Sequence, residues 1–204
     1  MRFSNRIAFT ALTLALFILV AGCSSKQFLV VHYQLPEPPD TLEVGNVSLT
    51  VSDVRENKAF LSESAQKSLR NFNDTYSLVV QQADGSGNLL GIYEINTLLS
   101  QVFKKRLENM GMQVTASADQ AEYELEIKLK EFKLDLVGQK WIINMNYQAD
   151  LAKNRGLRAM ETVSGSAERL KVISESDAEK ILGELLTDVV NKLDLAKLFQ
   201  LTRR

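Results

Sequence analysis

"AEYELEIKLKEFKLDL", residues 121–136, is the stretch whose reading decides the fold. Tyr123, Leu125, Ile127 and Leu129 alternate with Glu122, Glu124, Glu126 and Lys128. A period of two marks a strand that buries one face and wets the other. The phase then slips, and the apolar positions continue at Phe132, Leu134 and Leu136. One displaced residue near Lys130 and Glu131 predicts a β-bulge within a continuous strand.

The segments on either side extend this pattern. "WIINMNYQADL" (141–151) alternates through Trp141, Ile143, Met145, Tyr147, Ala149 and Leu151. "KNRG" (153–156) reads as a turn, and "LRAMETVSGSAERLKVI" (157–173) as the partner strand. Half-buried strands in this order favour an antiparallel meander. Upstream, "VGNVSLTVSDVR" (44–55) puts Val47, Leu49 and Val51 on one face. "TYSLVV" (75–80) predicts a short strand closed by the turn "DGSGN" (84–88), and "MQVTA" (112–116) predicts another strand. Residues 56–74 have no sustained period and read as loop with a helical turn at most.

Two segments are helical. "YEINTLLSQVFKKRLENMG" (93–111) gathers Ile95, Leu98, Leu99, Val102, Leu107 and Met110 on one stripe, with Lys104, Lys105 and Glu108 outside. Gly111 stands where a left-handed C-terminal cap is expected. "SESDAEKILGELLTDVVNKL" (174–193) gathers Ile181, Leu182, Leu185, Leu186, Val189, Val190 and Leu193, and Ser176 and Glu179 have the spacing of a capping box. Two amphipathic helices on one face of a twisted, mainly antiparallel sheet predict an α+β two-layer sandwich.

The start of the chain is different. Arg2 and Arg6 precede the apolar run "IAFTALTLALFILV" (7–20), which ends in the small pair Ala21-Gly22. A positive start, a short apolar run and small residues describe a secretory signal. The run is short for a spanning helix, which needs about 20 residues. The only cysteine, Cys23, follows at once. "VAGC" (20–23) resembles the bacterial lipoprotein box. That resemblance implies cleavage after Gly22, a diacylglycerol on the Cys23 sulfur and an acyl chain on its amino group. Ser24 in place of aspartate implies the outer membrane of a Gram-negative cell.

The expected organisation is a cleaved leader over 1–22, a lipidated N-terminus over 23–45 and one periplasmic domain over 46–204. Within 23–45, Phe28 to Leu35 reads as an edge strand, and "PEPPD" (36–40) holds all three prolines and reads as a stiff connector. Removing 22 of the 204 residues leaves 182, enough for one domain with its own core. Losing Arg2 and Arg6 takes the formal charge from −1 to −3, which excludes the basic footprint of a nucleic-acid binder.

Chemistry-bearing residues are few. His32 is the only histidine and reads as an ordinary strand residue, so neither a Ser-His-Asp nor a Cys-His arrangement can be assembled without it. With Cys23 acylated, the nitrogen and sulfur ligands of a zinc site are missing too. The residues therefore predict no catalytic centre, no metal and no cofactor beyond the acyl groups. Glu122, Glu124 and Glu126 form a row on a solvated face. Asp53 and Arg55 stand two apart at a strand end, a spacing that reads first as a local ion pair and second as a recognition site.

The lipobox, "PEPPD", "VSLTVSDVREN", "RLENMGMQV", the meander and "ESDAEKILGELLTDVVNKLDLAKLF" together resemble the YajG-type family of bacterial lipoproteins over most of residues 19–199. A looser likeness runs to the auxiliary lipoproteins of lipid-transporting ABC systems. The resemblance implies a non-catalytic protein held on the bilayer through Cys23 and brings no catalytic residues with it. The expected partner is another envelope component, a protein first, or a lipid-transport system as the alternative. Its expected contacts are His32 and Gln34, on the outer edge of the Phe28–Leu35 strand, with Asp53 and Arg55 beside them.

Overall fold

A computed structural model of the chain describes residues 27–40, 43–154, 156 and 158–203. The leader and Cys23 lie outside the described residues. In chain order the elements are β1 (Phe28–Gln34), β2 (Asn46–Asp53), α1 (Glu63–Ser68), β3 (Thr75–Gln81), β4 (Gly87–Tyr93), α2 (Ile95–Asn109), β5 (Gln113–Thr115), β6 (Tyr123–Val137), β7 (Lys140–Lys153), β8 (Arg158–Leu170), α3 (Ser174–Lys192) and α4 (Leu195–Leu201).

The meander is present as β6-β7-β8, antiparallel throughout, and its register shifts between Leu129 and Glu131, where the phase slip placed a bulge. The fold is α+β, but the single mainly antiparallel sheet is corrected to two mixed sheets. One has five strands in the order β5-β2-β6-β7-β8, and the other has three in the order β1-β3-β4. β2 runs parallel to both β5 and β6, and β1 runs parallel to β3. Parallel neighbours need long crossovers. Residues 54–122 provide one between β2 and β6, carrying α1, β3, β4 and α2 on the way.

α2 packs on β2, β3, β4 and β5, while α3 packs on β1, β7 and β8, so each helix touches both sheets. One contiguous core results, from Leu29, Val31 and Tyr33 through Leu98, Phe103 and Leu107 to Trp141, Tyr147, Leu185 and Phe199. Phe60 stacks on Phe132 with centroids 4.6 Å apart, and Tyr76 of the small sheet meets both rings edge-on. Gly111 has φ +94°, the left-handed value its place after α2 requires.

The capping box is corrected as well. α3 begins at Ser174, and the Asp177 carboxylate accepts from the Val172 and Ile173 backbone N–H groups. These bonds hold Asp177 below the usual carboxylate range. Glu179 serves elsewhere.

Candidate functional site

β1 is the edge of the small sheet, and α3 lies along that edge in the same direction. Alternate residues Val30, His32 and Gln34 turn their backbone groups away from β3. Glu179 Oε1 accepts from Val30 N at 2.9 Å, and Thr187 Oγ1 accepts from Gln34 N at 3.1 Å. Asn191 donates to the Gln34 carbonyl at 2.9 Å and accepts from the Tyr33 hydroxyl at 2.8 Å. Between these contacts a Cβ on Gly183 would stand only 2.7 Å from the His32 oxygen, so glycine is what lets the helix approach.

The spacing has a simple cause. Four helical residues rise about 6.0 Å and two strand residues about 6.6 Å. Positions 179, 183 and 187 therefore keep step with 30, 32 and 34. The expectation of an open outer edge on Phe28–Leu35 is corrected, because α3 occupies that backbone row and no strand can add there.

The side chains of this strand remain accessible. His32 is exposed and Gln34 half-buried, and with Gln81 they form one bank of a groove of about 500 Å³. Glu179, Glu184 and Asp188 of α3 form the other, with Lys180 beside them and Arg169 of β8 pairing with Glu184. From His32 the outer sheet face continues across Val79 to Leu89 and from Val30 across Ser77 to Ile92. Leu89 and Ile92 are both exposed.

Asp53 and Arg55 are not brought to this groove. They close a bidentate ion pair at the end of β2, with Nε to Oδ1 at 2.9 Å and Nη2 to Oδ2 at 2.8 Å. Arg55 Nη1 also donates to the Phe132 carbonyl at 2.9 Å, just past the bulge. The Arg55 and Asp53 side chains are 5% and 7% exposed, which leaves little for a partner to touch. Hydrogen bonding from Arg55 outweighs burial and holds the Asp53 carboxyl low. The pair fastens β2 to β6.

The glutamate row lies on the open face of the large sheet and meets cations there. Lys153 pairs with Glu122, and Lys128 pairs with Glu126 and Asp150. Among the described residues no group of His, Cys, Asp and Glu could hold a metal ion, and no helix is long and apolar enough to cross a membrane.

Arg106 is a buried structural side chain that the sequence pattern did not single out. It is buried on the core side of α2 and donates to the carbonyls of Val190, Asn191 and Leu193 at the end of α3. Its place on the apolar stripe, four residues after Val102, was the available signal.

No family model and no curated protein matches the sequence. Among solved structures the chain is similar to a DUF330-family protein from Xanthomonas campestris, at 13% identity and TM-score 0.47, over 79% of this chain and 92% of that one. It is similar to a hypothetical protein from Chlamydia trachomatis at 12% identity and TM-score 0.46, over 78% and 98% of the two chains. Lipoprotein GNA1162 from Neisseria meningitidis is similar at 16% identity and TM-score 0.31, over 72% and 96%.

Proposed function

We propose that this chain is a non-catalytic lipoprotein of the YajG type, held on the outer membrane through acylated Cys23, with a periplasmic domain that binds another envelope protein. The observation that carries the binding surface is an exposed apolar pair on the outer face of the small sheet. Leu89 and Ile92 are exposed there beside the acidic groove that His32 and Gln34 line. Apolar side chains grouped on a face mark a contact surface more often than scattered ones do. Contact is made through side chains of β1, β3 and β4, not through added strand pairing.

Photocrosslinkers placed singly at His32, Leu89 and Glu124 in living cells test this reading. Adducts with one envelope protein are expected at His32 and Leu89 and none at Glu124. Adducts confined to Glu124 would move the binding surface to the open face of the large sheet. A lipid crosslinked at His32 or Leu89, with no protein, would favour an accessory role in lipid transport.

A further inference from the structure

The end of the domain from which the N-terminus leaves carries its own surface. Because α3 keeps step with β1, the start of α3 and the start of β1 lie at the same end. The Gln27 carbonyl accepts from Asn73 N at 3.0 Å, and Lys171 N donates to the Gln139 carbonyl at 2.8 Å. Those two bonds place the entry to β1, the tip of the β6–β7 hairpin and the β8–α3 connection around one end face.

Four large apolar side chains are bare on it: Val137 at 56%, Leu170 at 61%, Val172 at 84% and Ile173 at 65% exposure. Val137 and Leu170 share one row, with Lys140 between them. Beside them lies a cleft of about 550 Å³ bordered by Lys67, Arg70, Asn71, Leu136, Lys171 and Glu175. Lys171 leans over the Trp141 ring, 5.8 Å from its centroid. Apolar tips among lysines and an arginine are the composition of a surface that seats in the headgroup layer.

The covalent chain supplies the second observation. Cys23 stands five residues before Phe28, so whatever its conformation that leash reaches at most about 18 Å. The acyl anchor therefore holds the start of β1 close to the membrane and keeps the opposite end, where β2 and β6 begin, away from it. We infer that the Val137–Leu170–Val172–Ile173 end docks on the bilayer, with the apolar tips in the interface and Lys67, Arg70 and Lys171 facing lipid phosphates. The inference rests on the proposed acylation of Cys23. It fixes the orientation of the domain: β1 starts at the membrane-facing end and runs outward from it, and the groove at His32 opens sideways into the periplasm.

The mature lipoprotein, purified from membranes and placed in vesicles of phosphatidylethanolamine and phosphatidylglycerol with brominated acyl chains, tests this. Acylated Cys23 leaves no thiol, so Val172→Cys, Val137→Cys and Val44→Cys each take one fluorophore. Strong quenching is expected at 172 and 137, and several-fold weaker quenching at 44. Ile173→Asp together with Leu170→Asp should lower the quenching at 137 several-fold. Equal quenching at all three positions, or unchanged quenching at 137 in the double variant, would overturn the docking face, since a bare leash gives that result. Intact mass reads the anchor separately. A chain without acyl groups that keeps the quenching pattern would sink the anchor and leave the face standing. An acylated chain without the pattern would do the reverse.

Discussion

Two of the four sheet edges, β1 and β8, are protected in opposite ways. The β1 edge is sealed: Glu179, Thr187 and Asn191 hydrogen-bond to its backbone, and Gly183 brings α3 to the strand. The β8 edge has no strand beside it among the described residues, although it is 13 residues long. It relies on charge instead, with Arg158, Glu161, Glu168 and Arg169 along it and Lys192 reaching the Ser164 carbonyl at 3.3 Å. Charged side chains on an edge discourage a second strand. A short apolar edge needs a cover, whereas a long polar one can be left open.

Leu185→Asp should break both sides of the comparison. Leu185 is buried on α3 between the two sheets, and an unpaired charge there costs several kcal/mol against a stability of roughly 5–15. The domain produced from Lys26 onward should lose its cooperative thermal transition. A variant that melts like the parent would mean that α3 does not bind the sheets together.

Gly183→Leu acts on the sealed edge alone. Its Cβ meets the His32 backbone, which cannot step aside, so a loss of about 1–3 kcal/mol is expected in urea unfolding. Hydrogen exchange should rise at Val30 and Gln34 and stay unchanged in β8. Faster exchange in β8 as well would show that the two edges are not independent.

The smallest effect sharpens the contrast. Glu179→Ala removes the acceptor of the Val30 N–H and should cost about 1 kcal/mol. Lys192→Ala at the open edge should cost less than about 0.5 kcal/mol. Equal losses in the same titration would remove the distinction between a sealed and a guarded edge.

What was legible in the sequence follows the range of the interactions. The strands β6 and β7 and their bulge could be read because alternation is local and the slip at Lys130–Glu131 is a break in phase. The left-handed Gly111 could be read for the same reason. β4 could not: Leu89 and Leu90 are adjacent, Gly91 interrupts, and the helical pattern behind it absorbed Tyr93. The parallel pairing of β2 with β6 was hidden because a crossover, not a local period, decides it. At the candidate site, the outward faces of His32 and Gln34 follow from alternation with Val31 and Tyr33. The helix that closes their backbone does not, since Glu179 and Val30 are 149 residues apart. The Ser176–Glu179 spacing misled because Glu179 was already committed to that distant strand.

The seal on β1 also sets an order of events. A ribosome finishes residues 28–34 long before it reaches 179–191, and the bonds between them span 149 to 158 positions. Until residues 179–191 emerge, a nascent chain presents β1 with one side uncovered. That interval is the period in which such a chain is most exposed to mispairing and has most use for a chaperone.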